Sequence, residues 1–402
     1  MPKVNKSNYK KNSLIYLLEN PLDWFFVPVA VWVLIWRQYL SFGQIATITG
    51  IGLTVELLLE LPSGAFADLL GRKVTIILGR VIKVIGYLIL FIARNYWLFL
   101  IGWIFYQINE AFYSGSGDAL LYDSLKENKK EEKFTDIRSK TFTYCTLGLA
   151  TASLIGSVLF NINHTLPYLF AAITSTASFF LVLFYEEPLL DTEKFNLKTY
   201  TKQNIEGFKH IFSTNTLKLV TLFSISVLVV SFSGTWYFHQ QLASSYGFQA
   251  SMLGILFFTL YIVRAVSSSY LRKFLKQDKQ NNFPILIALG LAFSYIFSIG
   301  ANIIRGGIML GVKFLTDGIT WPVTSIIQNK FIESKYRATA LSAISLLTNI
   351  MLALAGPLFG WGIENFGVRT TVCIVGVLGG LVSIPIAIKL KTAFNTPYTA
   401  SL

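Results

Sequence analysis

Seven ionisable side chains lie inside long apolar runs of this chain: Asp23, Glu56, Lys83, Glu110, Arg264, Lys313 and Asp317. Placing each at the middle of a bilayer-spanning helix costs at least about 2.5–3.5 kcal/mol, so such residues mark ion pairs or routes for protons and ions. Lys313 and Asp317 are four apart and share one helix face. They can form a permanent internal pair, or one that opens when Asp317 takes a proton or Lys313 meets an anion. Glu110 has no basic residue within helical reach on its own run. A lone carboxyl in a low-dielectric setting holds a proton more readily than in water, as a proton carrier requires. The alternative for Glu110 is a structural pair with Lys83. Pro21 and Pro28 flank Asp23 and predict a kink there. Glu56 and Glu60 share a face, where two like charges disfavour full ionisation, and Glu60 beside Pro62 reads as structural. Arg264 can meet either glutamate only if their helices are neighbours. Glu56, Lys83 and Arg264 are therefore candidates for pairing helices.

Enzyme chemistry has no foothold. The three histidines, His164, His210 and His239, are scattered, and no nucleophile lies near a base. No metal-ligand pair occurs on any run, and no phosphate-cradling G-x4-G-K-[ST] loop is present. Neither metal nor cofactor is expected, and any transport must draw on a gradient instead of ATP. Cys145 and Cys373 lie far apart in separate apolar runs, which gives no disulfide framework.

The elements that position these residues are membrane helices. Hydrophobic residues make up 53% of the 402 and charged residues 14%, with a mean hydropathy of +0.56; so few charges cannot cover an aqueous surface. Apolar runs of about 20 residues match a helix crossing a hydrocarbon core of about 30 Å, and backbone groups in lipid must be satisfied within the segment. Twelve spans are expected, at 14–36, 44–66, 74–93, 97–121, 138–160, 165–185, 217–238, 250–271, 283–302, 307–327, 338–363 and 370–388. The hydrophilic stretch 186–216 reads as a cytoplasmic linker, with Ile205, Phe208 and Phe212 at helical spacing for a membrane-surface segment. This divides the chain into a six-helix bundle over 1–185, the linker, and a second six-helix bundle over 217–402.

The net charge of +13 invites a nucleic-acid reading, but its distribution argues against one. One set of loops and span ends carries nearly all of the lysines and arginines, Arg80 among them. The other carries only Arg37, Arg94, Arg305 and Arg369, while Lys83, Arg264 and Lys313 lie deeper. That bias follows the positive-inside rule and places both termini in the cytoplasm of a multi-pass plasma-membrane protein.

Between the second and third runs stands LPSGAFADLLGRKVTIILG, in which Gly64, Asp68, Gly71, Arg72 and Lys73 follow G-x3-D-x2-G-R-K. This hairpin resembles the loop between helices two and three of the major facilitator superfamily of secondary transporters. Glu60-Leu61-Pro62-Ser63-Gly64, the run from Ser114 to Leu125, and Arg337-Ala338-Thr339-Ala340-Leu341-Ser342 are similar to a bacterial subgroup labelled multidrug efflux. The resemblance implies an all-α fold of two six-helix bundles. It also implies an aspartate latch at Asp68 facing the start of span 11, close packing and a tight turn at Gly64 and Gly71, and interfacial anchoring by Arg72 and Lys73. By the same resemblance, spans 1, 4, 7 and 10 line the pathway, which places Asp23, Glu110, Lys313 and Asp317 in or near it. Two departures stand out: Ser267–Lys273 lacks the hairpin's glycine and aspartate, and Gly156-Ser157 replaces the Gly-Pro of the antiporter signature.

Aromatic residues make up 15% of the chain. Trp24, Trp32, Trp36, Tyr106, Tyr113, Trp236 and Tyr237 are candidates for a chamber that suits flat lipophilic or cationic solutes. The competing reading puts aromatics such as Trp36 and Trp97 at the membrane interface. The sequence thus points to a carrier working by alternating access, which exports small lipophilic or cationic compounds in exchange for protons and, as the resemblance implies, works as a monomer. The alternative is a proton-coupled uptake permease for a sugar, peptide or metabolite anion. A non-transporting receptor on the same fold is a third reading, against which the intact hairpin argues.

Overall fold

The computed structural model describes residues 7–188, 205–274 and 282–395. Within them every regular element is a helix or a helical turn, and each of the twelve expected intervals falls on one. Seven helices among the described residues are long and apolar enough to cross a membrane, and Leu166–Val182 and Phe283–Ile296 are shorter apolar helices. The helices that carry Asp23, Glu110 and Lys313 are outside that group of seven: the first is only 15 residues long, and polar residues interrupt the apolar length of the other two.

The chain falls into two compact units, Met1–Phe195 with Gln249–Tyr261, and Asn196–Phe248 with Ile262–Leu402. The first half of span 8 thus groups with the first unit, whereas the sequence reading gave the whole span to the second bundle. Its Gly254 accounts for this: the carbonyl accepts from Ser153 Oγ at 3.1 Å, and a Cβ there would stand 2.8 Å from Ser157 Cβ.

In the first unit α1 (Tyr9–Asp23) leads through a 3₁₀ turn (Val27–Ala30) to α2 (Trp32–Arg37). There follow α3 (Phe42–Leu70), α4 (Arg72–Ile92), α5 (Tyr96–Glu127), α6 (Phe134–Ile162) and α7 (Leu166–Val182). Caps written into the sequence start these helices. Ser41 and Gln44 form a reciprocal capping box on α3, and Asn95 Oδ1 accepts the Leu98 amide at 3.1 Å on α5. The first span breaks where the prolines predict. The Asp23 carbonyl, released from the helix ladder by that break, accepts from Lys83 Nζ at 3.2 Å, the side-chain substitution that a broken helix in lipid requires.

α4 packs along α5. A Cβ at Gly86 would stand 2.9 Å from the Gly102 carbonyl oxygen, and one at Gly79 would stand 3.2 Å from Asn109 Oδ1. These two bare positions let the helix backbones approach, and Arg80 and Lys83 lie between them.

The second unit holds α8 (Asn215–Ser233), a π turn (Gly234–Phe238), α9 (His239–Ser245) and α10 (Ala250–Phe274), the last shared with the first unit. It continues with α11 (Phe283–Ile296), α12 (Ile303–Phe331), α13 (Arg337–Phe366) and α14 (Val368–Asn395). Segment 205–210 is helical. Ile205 is exposed and Phe208 and Phe212 partly so, while Ile211 is buried.

Candidate functional site

The first unit buries a connected set of charges. Glu19 and Asp23 stand one turn apart on α1, and Arg80 and Lys83 one turn apart on α4, so each helix presents a pair on one face. Arg80 bonds Glu19 Oε2 at 3.0 Å, Asp23 Oδ1 at 3.0 Å and Asn109 Oδ1 at 2.8 Å. Lys83 Nζ reaches Asp23 Oδ1 at 3.0 Å and Glu110 Oε1 at 3.1 Å. Neutral donors complete the set: Asn109 Nδ2 to Glu110 at 2.9 Å, Tyr113 OH to Glu19 at 3.1 Å, and Ser178 Oγ to Glu19 at 3.1 Å. The Arg80 guanidinium also lies 4.4 Å from the centre of the Tyr113 ring. Three carboxylates thus share two cations. The side chains of Glu19 and Arg80 are fully enclosed, whereas Glu110 keeps 27% of its side chain exposed. Glu110 is therefore the least enclosed member of the set.

Sequence reasoning found Asp23, Lys83 and Glu110 but not Glu19, and it counted Arg80 among the basic residues of loops and span ends. Arg80 is fully buried, which corrects that assignment. The available signal was the pair of spacings, Glu19 with Asp23 and Arg80 with Lys83, each of which puts like charges on one helix face.

Glu56 of α3 has no cationic partner within its unit among the described residues; it accepts from Gln107 Nε2 at 3.0 Å. Arg264 of α10 is half-buried and likewise forms no ion pair within its unit among the described residues. In the second unit Lys313 Nζ lies 2.7 Å from both carboxylate oxygens of Asp317 on α12. Ser231 Oγ donates to Asp317 at 2.6 Å, and the Ser231 carbonyl accepts from Lys313 at 3.2 Å. Ser231 lies three residues before the π turn of α8.

The hairpin turns at Gly71, whose φ of 92° is the left-handed side of the backbone map, open to glycine at no steric cost. Arg72 pairs with Asp123 of α5. The Arg72 and Lys73 amides, the open start of α4, donate to Glu187 Oε1 and Oε2 at 2.7 Å each, the placement of negative charge that a helix N-terminus favours. The neighbouring Glu186 accepts from the Asn8 amide at 2.8 Å and from Lys11 Nζ at 2.9 Å. Those bonds, the Lys11 one foremost, hold its carboxyl below the usual glutamate range. Among the described residues no atom lies within 4 Å of where a Gly64 Cβ would stand, while the Gly64 amide nitrogen stands 4.0 Å from the position of a Gly115 Cβ. The Asp68 side chain lies outside the described residues.

The expected chamber aromatics separate. Trp32, Trp36, Trp103 and Tyr106 form one buried cluster, in which Trp103 stacks on Tyr106 with centroids 4.9 Å apart and on Trp32 at 5.9 Å. Trp36 is wholly enclosed and donates to Tyr168 OH at 2.6 Å. Trp97 is 67% exposed. Tyr113 belongs to the charge network. Tyr237 bonds the Leu352 carbonyl in the second unit at 3.1 Å, and Trp24 is partly exposed against Phe142.

Residues 14–315 match the Major Facilitator Superfamily. The chain belongs to that superfamily. Among curated proteins this facilitator is similar to an uncharacterized MFS-type transporter, YxaM of Bacillus subtilis (strain 168), with 22% identity over 366 residues covering 88% of each chain. Its fold matches a mutant form of the nucleoside transporter NupG at a TM-score of 0.76, with 15% identity over 96% of this chain and 99% of that one. It also matches a bacterial homologue of the human lysosomal transporter Spinster at 0.73, with 16% identity over 98% of both chains. The facilitator is a multi-pass, all-helical secondary transporter of small molecules and not an enzyme.

Proposed function

We propose that this facilitator exports small lipophilic or cationic compounds in exchange for protons by alternating access, with both termini in the cytoplasm. The observation that carries the reading is the buried set of three carboxylates, Glu19, Asp23 and Glu110, on two cations, Arg80 and Lys83. Buried charge is tolerated when it is paired, and one proton on this set brings its charges into balance. Glu110 is the accessible member, and the aromatic cluster that contains Tyr106 offers faces for apolar or cationic cargo. An anionic nutrient would need a free cation: Lys313 is held by both oxygens of Asp317, which leaves that alternative only Arg264 of the two cations it would use.

The test is proton movement in liposomes that contain the purified protein and an enclosed pH-sensitive dye. A lipophilic cation added outside is expected to move protons in the wild type and not in Glu110→Gln. Full proton-coupled transport by both Glu110→Gln and Asp317→Asn would overturn the mechanism, and a response to nutrients alone would overturn the direction.

A further inference from the structure

Glu56 differs from the other carboxylates of the first unit that are set deep in its helices. Glu19 has Arg80, Asp23 has Arg80 and Lys83, and Glu110 has Lys83. Among the described residues Glu56 has only the neutral Gln107 amide, at 3.0 Å. Gln107 is fully buried, and its Oε1 has no hydrogen-bond partner among them. An orphaned buried acceptor is costly, by about 1–3 kcal/mol, and calls for a donor. The two helices are built to hold this pair together. Gly52, one turn before Glu56 on α3, lies so close to α5 that a Cβ there would overlap the Trp103 ring and stand 3.0 Å from Gln107 Cγ. Trp103, one turn before Gln107 on α5, stacks on Tyr106 with centroids 4.9 Å apart.

We propose that Glu56 and Gln107 hold a protonated primary or secondary amine of the transported compound. Its N–H groups donate to the Glu56 carboxylate and to Gln107 Oε1, and the adjoining carbons lie against Tyr106, the partly exposed end of the Trp32–Trp103–Tyr106 stack. This places two acceptors, one of them charged, beside a π-surface, the combination that recognises an organic ammonium ion. It also divides the work: Glu56 takes the cargo's charge, and the Glu19–Asp23–Glu110 set takes the proton. The inference rests on the cationic-cargo reading above.

The experiment is calorimetric binding to the purified full-length protein, with 2-phenylethylammonium and its N,N,N-trimethyl quaternary analogue as probes. Glu56→Gln is expected to weaken both probes about tenfold or more, the scale of a lost charged hydrogen bond. Gln107→Leu is expected to weaken only the primary amine, because the quaternary ion has no N–H to donate. Glu56→Asp should keep part of the affinity; with Gln107→Leu it carries the test if Glu56→Gln does not melt as a folded protein. Wild-type affinity for both probes in folded variants at Glu56 and Gln107 would overturn the site and leave cation export standing. Loss of proton coupling in Glu56→Gln with probe affinity intact would also overturn it, because Glu56 would then be a proton site. If the wild type bound neither probe, the cationic-cargo reading would fall, and this site with it.

Discussion

At the scale of single residues, the chemistry of this transporter is a matter of which charge has which partner. Lys313 and Asp317 are both buried, and among the described residues their bonds to each other are supplemented by Ser231 and by the Tyr295 ring, whose centre lies 5.3 Å from Lys313 Nζ. Removing one partner of such a pair leaves an uncompensated buried charge, which costs about 3–5 kcal/mol, whereas replacing both with apolar groups is often neutral. Asp317→Asn is therefore expected to lower the melting temperature of the detergent-purified protein markedly, and Lys313→Met with Asp317→Leu to restore it. A double variant as unstable as the single one would show that Ser231 and its surroundings, not the pair, set stability there. The pair was legible in the sequence because its two members share a helix and a fixed spacing of four. Arg80 was not. It stands eight residues into α4, about 12 Å from the helix start, and arginines near span ends ordinarily extend to the interface. Partners on α1 and α5, helices whose adjacency α4 alone does not reveal, hold it inward on Glu19, Asp23 and Asn109.

At the scale of elements, the network depends on the separation between α4 and α5. Lys83 reaches Glu110 because Gly86 and Gly102 bring the two backbones together. Gly86→Val would push side-chain atoms into the Gly102 carbonyl and Phe105 Cβ, both 2.9 Å from the position of a simple Cβ. Overpacking of this kind costs about 1–3 kcal/mol. The expected result is a lower melting temperature with proton-coupled transport reduced more than expression; transport at the wild-type level would show that the spacing is not critical. The helices themselves were readable from apolar length, from Pro21 and Pro28 at the break in the first span, and from caps such as Asn95. Which helix lies beside which was not readable, because apolar faces in lipid are nearly interchangeable and small-residue contacts leave a weak pattern. For that reason Glu56 reads in the sequence as a charge that pairs helices, while its partner in the structure is the neutral Gln107.

At the scale of the whole molecule, the fold follows from composition and the orientation from charge placement. Lysines and arginines crowd one set of loops, and the proposal that both termini are cytoplasmic rests on that bias read through the positive-inside rule. A protease-cleavable tag after Leu402 is expected to be cut in inside-out vesicles and protected in intact cells. The reverse pattern would invert the assignment, and with it the direction of export.

The surplus carboxylate of the buried network has an electrical consequence. With all five groups ionised, Glu19, Asp23, Glu110, Arg80 and Lys83 carry one net negative charge within the membrane. A membrane potential acts on such a charge with about 2.3 kcal/mol per 100 mV for a complete crossing. It has no such hold on the network once a proton has neutralised it. Any rearrangement that moves the network through part of the field is therefore biased by voltage when the proton is absent and released from that bias when it is bound. The same potential that drives ions across the membrane would then also set which way the unloaded carrier rests.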